Sequence, residues 1–169
     1  KSNHMFLRVD KGEDSIKSFK WSLAVDVMLG EADITIVSDY NKGFLNDLDL
    51  QRIAIISKLS ILDSKRKLTN DIIKDFTFVK LNESERINNS DLTTRNIITT
   101  LGKKGAYYDG ELFESPNPQD TIDVSGAGDT FTAAFIIKFY QSLEESVAIE
   151  FANEKSSEVV SKRGVVVPS

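Results

Sequence analysis

The chain has 169 residues, with 26 acidic against 21 basic side chains and a formal net charge of −5, which suits one domain of ordinary size with a sizeable core. Hydrophobic residues at 40% and charged ones at 28% exclude a disordered or collagen-like chain, and the acidic excess argues against broad nucleic-acid binding, which needs a basic field facing phosphates. The lack of cysteine and the single histidine, His4, exclude disulfides, thiolate metal sites, thiol nucleophiles and multi-histidine metal centres.

Short apolar runs alternate with longer amphipathic ones, the pattern of a layered α/β domain with a mostly parallel sheet. Residues 5–9 read as a first strand. A helix is predicted over 15–29, with Ile16, Phe19, Leu23 and Val27 on one face and Gly30 as its stop. Residues 34–37 form a β-branched run that reads as a buried strand, followed by the polar turn Ser38-Asp39-Tyr40-Asn41-Lys42-Gly43. A second helix, about 47–59, leads into Ile61-Leu62-Asp63. Residues 76–79 read as a strand that delivers Lys80-Leu81-Asn82-Glu83-Ser84-Glu85 at its C-terminal end. Residues 96–100 repeat the strand pattern, and Gly102-Lys103-Lys104-Gly105 turns into Ala106-Tyr107-Tyr108 as an antiparallel hairpin. A loop with Pro116 and Pro118 follows, then an apolar helix from about 128 to 140, a further helix over about 143–162 and a last strand at 165–167. No linker or repeat interrupts the pattern, so residues 1–169 are expected to form a single domain. No apolar run approaches the roughly 20 residues needed to cross a bilayer, and Lys1-Ser2-Asn3-His4-Met5 does not read as a signal peptide. A cytoplasmic setting without a membrane partner is therefore expected.

The most informative stretch is Thr121-Ile122-Asp123-Val124-Ser125-Gly126-Ala127-Gly128-Asp129-Thr130-Phe131, where small residues separate a strand from a helix. Backbone N–H groups at such a helix start, unobstructed at Gly126 and Gly128, form a ready anion site. Asp129 has two readings: an ordinary N-terminal cap, or a carboxylate that accepts a proton from an attacking hydroxyl while the amides hold a transferring phosphoryl group. A dinucleotide fingerprint fails, because Phe131 stands where a third small residue belongs. No glycine-rich run ends in Gly-Lys-Ser or Gly-Lys-Thr, which removes the P-loop. Ser125 as a hydrolase nucleophile lacks a histidine other than His4.

The stretch resembles the C-terminal signature of the ribokinase-like (PfkB-type) carbohydrate kinases, an acid followed by Gly-Ala-Gly-Asp, here Asp123 and Gly126 to Asp129. Other pieces follow in the family's order. Asn82-Glu83-Ser84-Glu85 resembles its Asn-x-x-Glu motif, Thr100-Leu101-Gly102-Lys103-Lys104-Gly105 its nucleotide-binding turn, and Ala152-Asn153 its late helix bordering the base. Within the family, residues 1–10 and Ser38 to Gly43 look most like the heptose 7-phosphate kinase branch, with Asn41 where those kinases usually have glycine and Leu81 where many members have proline.

The resemblance implies a three-layer ribokinase-like α/β fold with a mainly parallel sheet. It covers only the second part of a family member, without the N-terminal region that supplies the sugar pocket and β lid. It also implies an ATP-dependent sugar kinase. Asp129 would be the general base, and Gly126, Ala127 and Gly128 the anion hole. Asn82, Thr100, Gly102, Gly105 and Asn153 would contact the nucleotide. Asn82 and Glu85 would order a magnesium shell through water, although a helix cap with a surface acid explains them as well. A hairpin turn needs the same glycines at 102 and 105, and Asn153 on an amphipathic helix has a plain solvent-exposed alternative. Asp123 and Ser125 resemble positions that bind a monovalent cation such as K+. Lys42 is a candidate for a substrate or nucleotide phosphate, against a solvated loop lysine. The partners implied are a sugar or sugar-phosphate substrate and a second polypeptide, either a homo-oligomer partner or the missing N-terminal part. The rival reading is a nucleotide-binding module without turnover, or a kinase of the same family for fructose phosphate, ribose or a nucleoside.

Overall fold

The computed structural model describes residues 16–118 and 126–160. The strands predicted at 5–9 and 165–167, and residues 121–124 before the glycine turn, lie outside the described residues.

Among the described residues six strands form one sheet in the order in which the chain makes them: β1 (Thr35–Asp39), β2 (Ser60–Ser64), β3 (Phe78–Asn82), β4 (Ile97–Thr100), β5 (Ala106–Tyr108) and β6 (Glu111–Phe113). The first four are parallel, and β5 and β6 return antiparallel. The sheet is therefore mainly parallel, as expected. Parallel neighbours need a crossover, and these are supplied by α2 (Asp47–Ile56), α3 (Asn70–Ile73) and α4 (Glu83–Asn88). Preceding β1 is α1 (Leu23–Glu31), while α5 (Ala127–Ser142) and α6 (Glu145–Val160) follow the sheet.

Side chains alternate across a strand, and here each alternate set finds a helical layer. Val37, Leu62, Val79, Leu81 and Ile97 pack with Leu50, Ile53 and Ala54 of α2 and Ile72 and Ile73 of α3. Ile61, Phe78, Ile98 and Ala106 face α5 and α6. On that second face Phe131, Phe135 and Phe139 follow one another at helical spacing along α5, and Phe78 meets the rings of Phe135 and Phe139 edge-on at 4.8 Å each. Because β2, β3 and β4 are covered on both faces, they read in sequence as apolar runs; β1, expected as a buried strand, buries Val37 and leaves Ile36 exposed.

Several boundaries differ from expectation for local reasons. The helix predicted over 15–29 begins only at Leu23, with Ser22 as its N-cap, and runs through Gly30 to Glu31. Phe19 is held away from a helix by its N–H, which donates to the Phe44 carbonyl at 2.7 Å, and by ring contacts with Trp21 and Phe44. The predicted helix 47–59 ends at Ile56, where Ser57 turns extended. The strand expected at 76–79 starts at Phe78, because Phe76 closes the short helix α3 with a bond from its N–H to the Ile73 carbonyl. Neither α3 nor β6 was expected.

Candidate active site

The C-terminal ends of β3 and β4, the start of α5 and one face of α6 enclose a cavity of about 310 Å³. Asn82, Thr100, Gly102, Gly105, Ala127, Gly128 and Asn153 line it, so seven residues singled out from four separate stretches of sequence meet in one place. Lining residues that the sequence did not single out include Lys80, Ser115 and Phe131.

The start of α5 is unusual in its cap. Gly126 takes the N-cap place in the left-handed region at φ 79° and has no side chain to offer, and its carbonyl accepts from the Thr130 N–H at 2.9 Å. Among the described residues no side chain accepts from the N–H groups of Ala127, Gly128 or Asp129. Asp129 is thus not the N-cap. It stands exposed in the first turn, one residue past Gly128, and its carboxylate has no hydrogen-bond partner among the described residues. A 16-residue helix concentrates partial positive charge at this end, and the two glycines leave it accessible.

Asn82 and Glu85 form a capping box at the start of α4. The Glu85 N–H donates to Asn82 Oδ1 at 2.8 Å, and the Asn82 N–H donates to Glu85 Oε2 at 2.7 Å. Ser84 Oγ also donates to Asn82 Oδ1, so the amide oxygen is committed to the helix and the NH₂ group is what Asn82 offers the cavity. Glu85 does not line it. Among the described residues no group of three or more His, Cys, Asp or Glu gathers as a metal cage. Only Oε2 of Glu85 takes part in the capping box.

Asn153 is 4% exposed, which overturns the solvent-exposed alternative. Its Nδ2 donates to the Phe113 carbonyl at 2.9 Å and ties α6 to β6. Gly102 to Lys104 form a single 3-10 turn, after which Gly105, at φ 103°, reverses the chain into β5. A Cβ on Gly105 would lie 2.0 Å from the Phe113 carbonyl oxygen, so a glycine is required there by space as well as by backbone angle.

A profile of the pfkB family carbohydrate kinases matches residues 60–169, more than half of the chain. The chain belongs to the pfkB family. Similar curated proteins include the bifunctional protein HldE of a Helicobacter pylori strain, 29% identical over 99% of this chain and 42% of that protein, and HldE of a Nitratiruptor species, 28% identical over 96% and 40%. The chain therefore spans about two fifths of the length of these relatives. Among solved structures, an Arabidopsis thaliana ribokinase complexed with ribose and ATP superposes with a TM-score of 0.71, at 20% identity over 90% of this chain and 57% of that one. An adenosine kinase from Schistosoma mansoni gives 0.69 at 17% identity, over 87% and 56%. These likenesses establish the ribokinase-like fold that the motifs implied.

Two further expectations concern residues outside the described cavity lining. Asp123 and Ser125 lie outside the described residues. Lys42 sits in the loop after β1 and does not line the cavity. That loop is held by a buried ion pair: Arg66 Nε and Nη2 donate to the two oxygens of Asp39 at 2.6 and 3.1 Å, Nη1 donates to Asp47 and Nη2 also to the Leu45 carbonyl. Burial pushes the Asp39 carboxyl up, but hydrogen bonds from Arg66, Ser64 and the Asn41 N–H outweigh it and hold the group below the usual carboxylate range. Asn41, standing where a glycine is usual in the heptose kinases, takes φ 54°, a left-handed conformation that asparagine tolerates better than most residues.

Proposed function

We propose that this chain carries the nucleotide and proton-abstracting half of a phosphotransferase site, moving the γ-phosphoryl group of ATP to a hydroxyl of a sugar or sugar phosphate. The carrying observation is the bare N-terminus of α5, which opens at Gly128 into a cavity also lined by the glycine turn and Asn153. Oriented amides that need no rearrangement are well suited to charge developing on phosphoryl oxygens.

In this reading the amides of Gly126, Ala127 and Gly128 hold the phosphoryl oxygens. Asp129 takes the proton of the acceptor hydroxyl as its oxygen bonds to the γ-phosphorus, and the bond from that phosphorus to the bridging oxygen breaks to release ADP. Thr100, Gly102, Gly105 and Asn153 border the nucleotide. Magnesium would supply charge neutralisation on the phosphates, with Asn82 and Glu85 ordering its water. A monovalent cation such as K+ at Asp123 and Ser125 belongs to the same reading and is tested by omitting it from the assay. The HldE relatives and the motif after β1 favour a heptose phosphate as acceptor over ribose, fructose phosphate or a nucleoside.

A second reading, nucleotide binding without turnover by the 169-residue chain alone, draws support from the cavity lining, where the resemblance assigns Asn82, Thr100, Gly102, Gly105, Ala127, Gly128 and Asn153 to the nucleotide and its phosphates. Positioning of the acceptor is worth about 7–11 kcal/mol of barrier. A coupled kinase assay over a sugar panel decides between the two.

The base assignment is tested by Asp129→Asn in the intact protein. Turnover should fall by about 10²–10⁴, while ATP affinity measured by calorimetry stays within a few fold. Near-normal turnover would reduce Asp129 to a helix-dipole residue.

A further inference from the structure

We propose that Lys80 is a phosphate-binding residue of this site, and that Asp63 and Thr132 are positioning residues holding its ammonium group beside the start of α5; the inference rests on the phosphotransferase reading above. In register, Asp63 of β2 lies directly across from Lys80 of β3. Alternation along both strands turns the two side chains to the α5 side, where Ile61 and Phe78 precede them. The apolar layer thus ends, toward the cavity, in one cation and one anion.

Lys80 is 5% exposed and lines the cavity. Its Nζ donates to Asp63 Oδ2 at 2.8 Å, and the same oxygen accepts from Thr132 Oγ1 at 3.2 Å. Thr132 Oγ1 also lies 3.0 Å from the Gly128 carbonyl, so the clasp is anchored to the first turns of α5. A Cβ built on Gly128 would come within 3.0 Å of Lys80 Nζ, which puts the ammonium against the turn that presents the free amides. An ammonium carries three donors, and among the described residues Asp63 is its one acceptor.

Folding stability gives little reason to keep such a pair. Well-packed apolar residues in place of a buried ion pair are often as stable or more so. A cation held in a fixed place with donors to spare, at the mouth of an amide-lined helix start, has a use in meeting a polyphosphate. Asp63 keeps it aimed until the anion arrives, and the ammonium then bridges the carboxylate and a phosphate oxygen.

The test compares binding of ATP, tripolyphosphate and adenosine by calorimetry, without magnesium, in wild type, Lys80→Met and the double variant Asp63→Asn/Lys80→Met. The double variant removes both charges together, so it escapes the penalty of an unpaired buried ion and folds even if the single variant does not. Loss of a charge-assisted bond should weaken ATP and tripolyphosphate by about tenfold or more in both variants and leave adenosine within about twofold. It should also flatten the salt dependence of ATP binding. A purely structural Lys80 would move all three ligands together. If wild type binds ATP and the double variant binds it equally well, the assignment is overturned while the phosphotransferase reading stands. If wild type binds neither ATP nor tripolyphosphate, that reading fails and takes this one with it.

Discussion

At the scale of single residues, two glycines in left-handed conformations make opposite demands. Gly105 is crowded, with a Cβ position 2.0 Å from the Phe113 carbonyl oxygen, whereas nothing lies within 4 Å of a Cβ on Gly126. Gly126→Ala should therefore lose only the backbone term, about 1–2 kcal/mol, and Gly105→Ala should lose about 3 kcal/mol or more as clash adds to strain. Denaturant midpoints of the two variants measure the difference. The Asp39–Arg66 pair makes a pH prediction. The folded carboxyl lies below its unfolded value, so its contribution is complete above the unfolded pKa and disappears as pH falls through the folded one. Removing one partner from a buried pair costs about 3–5 kcal/mol. Asp39→Asn should show that deficit near pH 7, and the gap from wild type should narrow as pH drops below about 4. Acid titration of both proteins under constant denaturant checks it.

At the scale of elements, the short helices depend on their ends. Both α2 and α4 open with reciprocal capping boxes, Asn46 with Asp49 and Asn82 with Glu85. Asn46→Ala should cost about 1 kcal/mol, read as a lower denaturation midpoint with the fold unchanged. The same local logic explains what the sequence made legible. Strands buried on both faces announce themselves as apolar runs, and long helices as periodic ones. The sheet, α2, α5 and α6 were readable for that reason, with ends misplaced by a few residues. What was not readable depended on tertiary contacts. Phe19 and Trp21 look helical by spacing but are held by Phe44 and Asp49. The four residues of α3 are too few to show a period. At the site, the glycine turns and Asn82 stood out because their residue types are informative alone. Lys80 and Asp63 did not, because the sequence shows Lys80 only as a residue following the strand at 76–79 and Asp63 only as the end of the run Ile61-Leu62-Asp63, and the β2–β3 register alone brings them together.

At the scale of the whole molecule, the central strands are covered on both faces but the β1 flank is not. Among the described residues β1 pairs only with β2, and its Ile36 is 46% exposed. Leu23, Val27 and Met28 of the preceding helix are also exposed. Unpaired edges and apolar patches of this kind promote association. Light scattering of the purified 169-residue chain should show mass rising with concentration, and Ile36→Lys should reduce it. A monodisperse monomer at high concentration would mean that residues outside those described cover this flank.

The strand order also bears on how the molecule is made. Among the described residues each strand lies beside the one synthesised just before it, so every one of these strands emerging from the ribosome finds its neighbour already in place, and none of their pairings waits for a distant segment. The α2–α3 face is complete by the time β4 has formed. The opposite face is different, since Ile61, Phe78 and Ile98 have no cover until α5 and α6 arrive, well after β4. Local pairing favours fast assembly, but a half-covered sheet is an aggregation hazard during synthesis. The helix that begins at the glycine turn is thus also the lid that ends this exposure, and nascent chains stalled before residue 127 should depend on chaperones far more than chains stalled after 160.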